Sequence, residues 1–482
     1  MHAQRRYVWK GRSVRRSSIV AGAALLLGLP ASAFAQSPPA SPASSTEKPG
    51  KEETAPKQDA NGLILSASTR ARYETVTGRP RPDYKASEDA FTVRTGIAVE
   101  YGPGPFAIGA ELIDSRAYDI GPGTLIGRDD VNAVELPQLY AKLRLNDALG
   151  TGSKVAAQGG RFLLNLGSGR LIATDEYRNT VNGFTGLRVD LEPDTRTELA
   201  LFYVLPQEHL PDSAREIRRN KVVLDRETFD NVLFGAHFQR KKLFGETQAE
   251  LAWYRLAEHD SPRRETADRR LHTLDARLFR EGKAGTIDYD LEGVYQFGRA
   301  RPSTEPDAID RAVSAGFVHG AAGYTFAGPL KARLGLFYDW ASGDRPGGRY
   351  GRFDTLFGSR RDDLGPSGTY AMLARENISA GGVRFEAKPG KRVEALADYR
   401  AVWLASRFDE FAGLTDETGR SGNFAGHQIE GRLRFWLVPD HLRLETNFAL
   451  LFKGRFLKDA PDAVGTRSNT VRFLETNLQV TF

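Results

Sequence analysis

The chain has no cysteine and only two methionines among its 482 residues. Without thiols there is no disulfide staple and no cysteine-ligated metal centre. The absence also suits an oxidising compartment, where stray thiols are a liability. Beyond the first 35 residues no apolar run approaches the roughly 20 residues that a helical membrane span needs. Histidines number 8. His237 and His319 fall in alternating stretches, and His209, His259, His272, His427 and His441 lie in or near breaks. None shares a face with a serine and an acid, the pattern that a hydrolase or acyltransferase requires. Catalysis is therefore a second reading, and no cofactor is implied.

Excess charge is also missing once the N-terminus is set aside. Met1 to Ala35 reads as a secretory signal: Arg5, Arg6, Lys10, Arg12, Arg15 and Arg16 precede an apolar run from Ile19 to Leu29, and Ala33-Phe34-Ala35 supplies small-x-small cleavage chemistry. Those six basic residues have no acidic counterpart, so removing them takes the formal charge from +6 to zero. A nucleic-acid binder would need a basic surface, and the mature chain shows none. Gln36 to Asn61, rich in Pro, Ala, Ser, Lys and Glu, is a disordered periplasmic linker.

What is present from Gly62 onward is one repeated unit, an alternating run of ten or more residues followed by a break. Strands are expected near 62–74, 88–101, 105–118, 132–146, 154–166, 182–192, 195–205, 228–241 and 245–258. Nine more are expected near 270–281, 285–299, 310–327, 329–342, 375–388, 391–405, 423–437, 440–454 and 469–482. The breaks alternate strictly in length. Gly102-Pro103-Gly104, Pro193-Asp194, Lys242 to Phe244, Glu281-Gly282-Lys283, Pro389-Gly390 and Pro439-Asp440 are short. Pro206 to Glu227, Gly343 to Ala374 and Ser406 to Gly422 are long and polar. A soluble sandwich has no reason for this asymmetry, whereas a membrane barrel with tight periplasmic turns and long outer loops does. The fold class expected for residues 62–482 is all-β, a transmembrane antiparallel barrel of about 18 strands in the outer membrane.

Alternation also assigns faces. Phe91, Val93, Ile97, Val99 and Tyr101 form one apolar face; Leu330, Leu334, Leu336, Tyr338 and Trp340 form another. The terminal strand offers Leu474, Thr476, Leu478, Val480 and Phe482, set against Glu475, Asn477, Gln479 and Thr481. The polar faces place Arg70, Arg72, Arg94, Lys142, Arg144, Arg161, Arg188, Lys331, Arg333, Arg400, Arg432, Arg434 and Arg443 toward the lumen. Asp339 and other acids go with them, and Glu250, Asp275, Asp288, Asp290 and Glu292 concentrate on strands nine to eleven. Totals cancel, but placement does not: closure gathers much of the arginine on one wall, opposite the acidic strands. Such a division sets up a transverse field that guides anions. The same residues also suit ordinary cross-strand ion pairs.

Several blocks resemble the alginate export proteins of Gram-negative outer membranes. They are Tyr338-Asp339-Trp340-Ala341-Ser342-Gly343-Asp344, Arg352-Phe353-Asp354-Thr355-Leu356-Phe357-Gly358, Arg375-Glu376-Asn377-Ile378, Tyr399-Arg400 and Leu404-Ala405-Ser406. Arg70-Ala71-Arg72-Tyr73-Glu74, Gly160-Arg161 and Gly167-Ser168-Gly169-Arg170-Leu171 are similar too. The resemblance implies an eighteen-stranded monomeric barrel whose arginine-lined constriction passes a polyuronate. Arg161 and Arg400 sit in matching motifs. Gly169 and Phe184-Thr185-Gly186 depart from the family pattern, which leaves other exopolysaccharides or small anions as alternative solutes. The expected partners are lipid, the anionic solute and a periplasmic machinery that delivers it. A ferric-chelate receptor would need an N-terminal plug domain, for which 26 residues of linker are too few. The longest loop, Gly343 to Ala374, is either a gate folded into the lumen or a plain solvated loop. Asp344, Asp354, Asp362 and Asp363 supply oxygen ligands suited to calcium, without a motif spacing.

Overall fold

A computed structural model describes residues 62–482 apart from positions 263, 306, 360, 367, 465 and 466. The expected signal and linker lie outside the described residues. In chain order the strands are β1 (Leu63–Thr77), β2 (Ser87–Tyr101), β3 (Phe106–Tyr118), β4 (Asn132–Asn146), β5 (Lys154–Leu163), β6 (Gly183–Asp194), β7 (Thr197–Pro206), β8 (Asn231–Phe244), β9 (Thr247–Glu258) and β10 (Arg270–Arg280). They continue with β11 (Ile287–Ala300), β12 (Arg311–Thr325), β13 (Arg333–Ala341), β14 (Arg349–Tyr350), β15 (Ile378–Ala387), β16 (Val393–Trp403), β17 (Phe424–Val438), β18 (Leu442–Lys453) and β19 (Thr470–Thr481). Among the described residues helix is confined to α1 (Ala214–Ile217), α2 (Arg361–Leu364) and α3 (Arg455–Asp459).

Two-residue β14 lies against β12 in parallel, outside the main ladder. The other eighteen strands pair antiparallel with their chain neighbours, and β1 pairs with β19 from Ser68↔Thr481 to Thr77↔Arg472, closing the barrel. Closure is what a bilayer demands, since an open edge leaves backbone donors and acceptors unsatisfied in hydrocarbon. No helix among the described residues is long and apolar enough to cross a membrane.

The alternation of loop lengths holds around the ring. One rim carries short links such as 102–105, 195–196 and 245–246; the other carries 164–182, 207–230, 342–377 and 404–423. In the two-residue link between β8 and β9, Gly245 adopts φ +57, the left-handed geometry that glycine meets without strain. Several expected boundaries shift. Pro193-Asp194 and Lys242 to Phe244 belong to the ends of β6 and β8, because the turns are tighter than their composition suggests. Lys331 sits in the β12–β13 turn at φ 44, exposed, rather than on an inward strand face.

The outer wall is apolar as read from the period of two. Leu65, Phe106, Ile108, Leu187 and Leu336 are each 61–70% exposed. Side chains of this size cost on the order of 1.5–3 kcal/mol each to leave in water, and lipid removes that cost. The interior is filled differently at the two ends. Toward the long-loop rim, Leu164, Leu166, Leu171 and Ile172 from one loop bury against Phe353, Leu364, Tyr370, Met372 and Leu373 from another. A hydrophobic core therefore forms inside the barrel, made by these loops packed on inward strand residues such as Phe184, Tyr254 and Phe317.

Candidate functional site

The lumen is organised by its inward charges. On the acidic side Glu250, Asp275, Asp288, Asp290 and Glu292 all point inward and are buried. Arg277 of β10 is the strand cation among them. Its Nε and Nη2 each donate to Asp290 at 2.7 Å, and its Nη1 donates to Glu250 at 3.1 Å. Arg333 bonds to Asp288 and, at 3.0 Å, to Glu386. Carboxylates at this density need cations, because like charges in a dry wall repel and each buried ion carries a desolvation penalty.

The missing cation comes from a loop. Arg170, in the segment 164–182, donates Nη1 to Glu292 at 2.5 Å and Nε to Asp363 at 2.7 Å, and its Nη2 lies 3.3 Å from Asp290. At its other end the same loop meets β1, β2 and β3. Arg94 Nη2 donates to Glu176 at 2.6 Å, Arg70 donates to the carbonyls of Glu176 and Arg178, and Ser115 donates to the carbonyl of Asn179. In a ring of eighteen strands β2 and β11 lie nine places apart, diametrically opposite. One loop that touches both crosses the lumen.

The loop 342–377 completes the crossing. Phe357 N donates to Leu171 O at 2.9 Å, Ala173 N to Phe357 O at 3.0 Å and Ser359 N to Gly169 O at 2.9 Å, a short interloop ladder. Gly358 allows the approach, since a Cβ there would stand 1.8 Å from the Arg170 carbonyl oxygen. Arg375 reaches Asp363 at 2.7 Å and the carbonyls of Arg170 and Ser359 at 3.1 and 2.8 Å. Burial opposes the charge on Asp363, but Arg170, with His319 and Arg375, holds its carboxyl well below the ordinary range. The far end of the loop bonds Thr369 to Glu74 of β1 and Tyr370 to Gln428 of β17, at 2.8 and 2.6 Å. The loop is thus folded into the barrel and fastened to both walls rather than plainly solvated.

Candidate metal donors are spent elsewhere. His319, Asp339 and Asp363 bring ligand atoms within 4.8 Å of one another. His319 Nδ1, however, lies 2.7 Å from Asp339, and Asp363 faces two guanidinium groups. A divalent cation would meet repulsion there. Asp344 and Asp354 bond to Arg311 and Arg269 at 3.0 and 2.9 Å, so these carboxylates do not converge with Asp363 on one point.

Most of the arginines assigned to the solute path do face inward, each engaged. Arg72 donates to Asn477 at 2.7 Å, lies 3.4 and 3.5 Å from Glu74 and Glu475, and covers the Tyr177 ring at 4.3 Å. Arg144 pairs with Glu100 and Arg188 with Asp190 near the short-turn half. Arg400, fully buried, donates to the Asp363 carbonyl at 2.5 Å and to Asp398 at 3.1 Å. Arg434 pairs with Glu445 at 2.5 Å, and Arg432 is half-buried beside it. Arg70, Arg94, Arg333 and Asp339 take the partners given above.

Arg161 is the correction. It pairs across β5 with Leu139 and Thr185, and Leu139 and Leu187 on that phase are exposed, so Arg161 points outward. The cause is the next residue. Phe162 and its partner Phe184 turn into the loop core, and a period of two then sends Arg161 to the opposite face. There it is capped by Glu135 at 2.8 Å, by Glu227 at 2.7 Å and by the Asp225 carbonyl at 2.9 Å.

Residues that alternation does not mark hold the site together: Arg170, Glu176, Asp363, Arg375 and Asn377. Arg170, Arg375 and Asn377 fall inside the blocks quoted above; Glu176 and Asp363 fall outside them and carry no signal but their charge. Asn377 ties two of those blocks together in space. Its Oδ1 accepts from Ser406 N at 2.7 Å, and its Nδ2 donates to the carbonyls of Ser406, Asp409 and Glu410 at 3.0–3.1 Å.

Among solved structures, Pseudomonas aeruginosa OccK8 (OprE) superposes with a TM-score of 0.56 at 12% identity, covering 87% of this chain and 98% of its own. Acinetobacter baumannii OccAB1 gives 0.55 at 13% identity, with 89% and 99% covered. P. aeruginosa OccK2 (OpdF), solved in complex with glucuronate, gives 0.52 at 13%, with 87% and 97% covered. Identities this low establish the shared barrel fold alone. No curated protein matches the sequence. The model of the alginate export family, by contrast, matches residues 64–471, nearly the whole barrel. The chain therefore belongs to the alginate export family, as an outer-membrane porin built on a closed eighteen-stranded barrel.

Proposed function

We propose that this porin passes an anionic, alginate-like polyuronate by passive diffusion, with a periplasmic machinery delivering the polymer. The observation that carries the reading is the placement of guanidinium groups. Arg94, Arg70 and Arg72 on β2 and β1 stand opposite the carboxylates of β10 and β11, and Arg432 and Arg434 on β17 lie to one side of them. Guanidinium matches a carboxylate in a planar fork. A row of such groups, each already sharing its donors, offers many weak contacts, and conduction requires sites weak enough to leave. Family membership points to the same solute class.

One observation favours a second reading, diffusion of small anionic solutes. The loops 164–182 and 342–377 cross the lumen, so a polymer would meet both on its way through. Reversal potentials of the purified barrel in planar bilayers test anion preference. Block of the current by uronate oligomers of increasing length separates the readings: binding that strengthens with length supports the polymer, and exclusion beyond a monosaccharide supports the small solute. Cation preference with no uronate block would refute both. Hydrolysis of the oligomers by the barrel would favour an enzyme instead.

A further inference from the structure

The tip of loop 164–182 presents a carboxylate to the arginines that the solute is expected to use. Glu176 contacts Arg94 through Oε2 only, at 2.6 Å, while Arg94 Nη1 makes a long 3.3 Å contact to the Arg178 carbonyl. The Arg94 fork is thus engaged by a single carboxylate oxygen. Arg70 stands behind it with both terminal nitrogens on main-chain carbonyls and no carboxylate in ion-pair range among the described residues. The Glu176 side chain is 61% exposed to lumen water, whereas Arg94 is 12% exposed. Enclosure works to raise the Glu176 carboxyl, and Arg94, with Arg70 beyond it, more than offsets this and holds it below its ordinary value. The next residue, Tyr177, is clamped by Arg72 over its ring and by Glu475 on its hydroxyl.

We infer that Arg70 and Arg94 form a carboxylate-recognition site and that Glu176 is its tethered occupant, a surrogate that an incoming carboxylated solute displaces. The inference rests on the proposed anionic solute and adds where that solute first competes with the protein. An exposed ion pair is weak, so a free carboxylate able to use both Arg94 nitrogens replaces Glu176 at little cost. Displacement releases the Glu176 side chain alone, while the main-chain bonds to Arg70 and the Tyr177 clamp keep the loop tip on the wall.

Glu176→Gln keeps the side-chain size and the backbone carbonyls that hold Arg70, and it lies in water, so the barrel assembles. With the tethered competitor gone, di- and trigalacturonate should block the bilayer current at about two- to sixfold lower concentration, the handicap that one exposed tethered pair imposes on a competitor. Arg94→Gln should weaken the block, and Glu176→Ala provides a second variant that removes the carboxylate without relying on the amide. Equal half-blocking concentrations for wild type and both Glu176 variants would overturn the inference while leaving the proposed solute intact. An equal gain for neutral maltotriose would also overturn it, since the effect would then be steric. If uronates fail to block any form but acetate shifts the current more in Glu176→Gln, the site stands and the solute class is wrong.

Discussion

Arg170→Gln removes the guanidinium that joins both crossing loops to the acidic wall. Its ion pairs are buried, with side-chain exposures of 9% for Arg170 against 7%, 0% and 10% for Asp290, Glu292 and Asp363. Breaking a buried pair by deleting one partner costs about 3–5 kcal/mol, because the surviving charge stays out of water. Here Asp363 keeps Arg375 and Asp290 keeps Arg277, so Glu292 loses most and the lower end, about 3 kcal/mol, applies. The strand ladder contains none of these bonds. The cost therefore falls on the loop-closed state and raises the open population by roughly a factor of 100. In planar bilayers the variant should show larger conductance and more current noise. On gels the unheated barrel should still migrate as a folded species. Adding Glu292→Gln, which removes the acid left most exposed to the loss, should recover part of the closed state. Unchanged conductance and noise with a folded barrel would refute the idea that this cluster holds the lumen shut.

Gly358→Ala should reproduce the Arg170 phenotype without changing charge, because its Cβ would stand 1.8 Å from the Arg170 carbonyl and part the interloop ladder; conductance again reads it. Arg161→Gln should leave ion selectivity unchanged while Arg94→Gln lowers anion preference, in bilayers at low salt; at about 1 M salt, with a Debye length of ~3 Å, the difference should shrink. The outer loops should tighten in acid. Burial raises the Asp130 carboxyl to about 7, with Glu74 and Asp129 adding to the shift, and burial raises Asp225 to about 6. The folded loops then hold more protons than the unfolded chain, so stability falls as pH rises from about 4 to 7. Burial depresses the His209 imidazole but Asp129 and Asp225 raise it overall, and its contribution is likewise lost on the alkaline side. Amide exchange in 119–131 and 207–230 should be slower at pH 5 than at pH 7.5, and the reverse order would contradict the assignment.

The sequence by itself determined the barrel. Alternation over eighteen stretches and short and long breaks in strict turn fix the strand number and the apolar outer face. In a membrane these follow from local chemistry: every second side chain meets lipid, and every backbone group must pair with the next strand. The same period correctly turned Arg70, Arg72, Arg94, Arg333 and Arg400 inward. It failed at Arg161, where burying Phe162 in a core built by distant loops set the phase instead. Only the tertiary structure decided what fills the lumen. Arg170 meets Glu292 across 122 residues of chain and Asp363 across 193, and Glu176 meets Arg94 across 82. Loops have no period that encodes such meetings. Their positions come from closure of the ring, which brings strands nine places apart to face each other, and from the unbalanced charge that each wall then presents to the chain crossing between them.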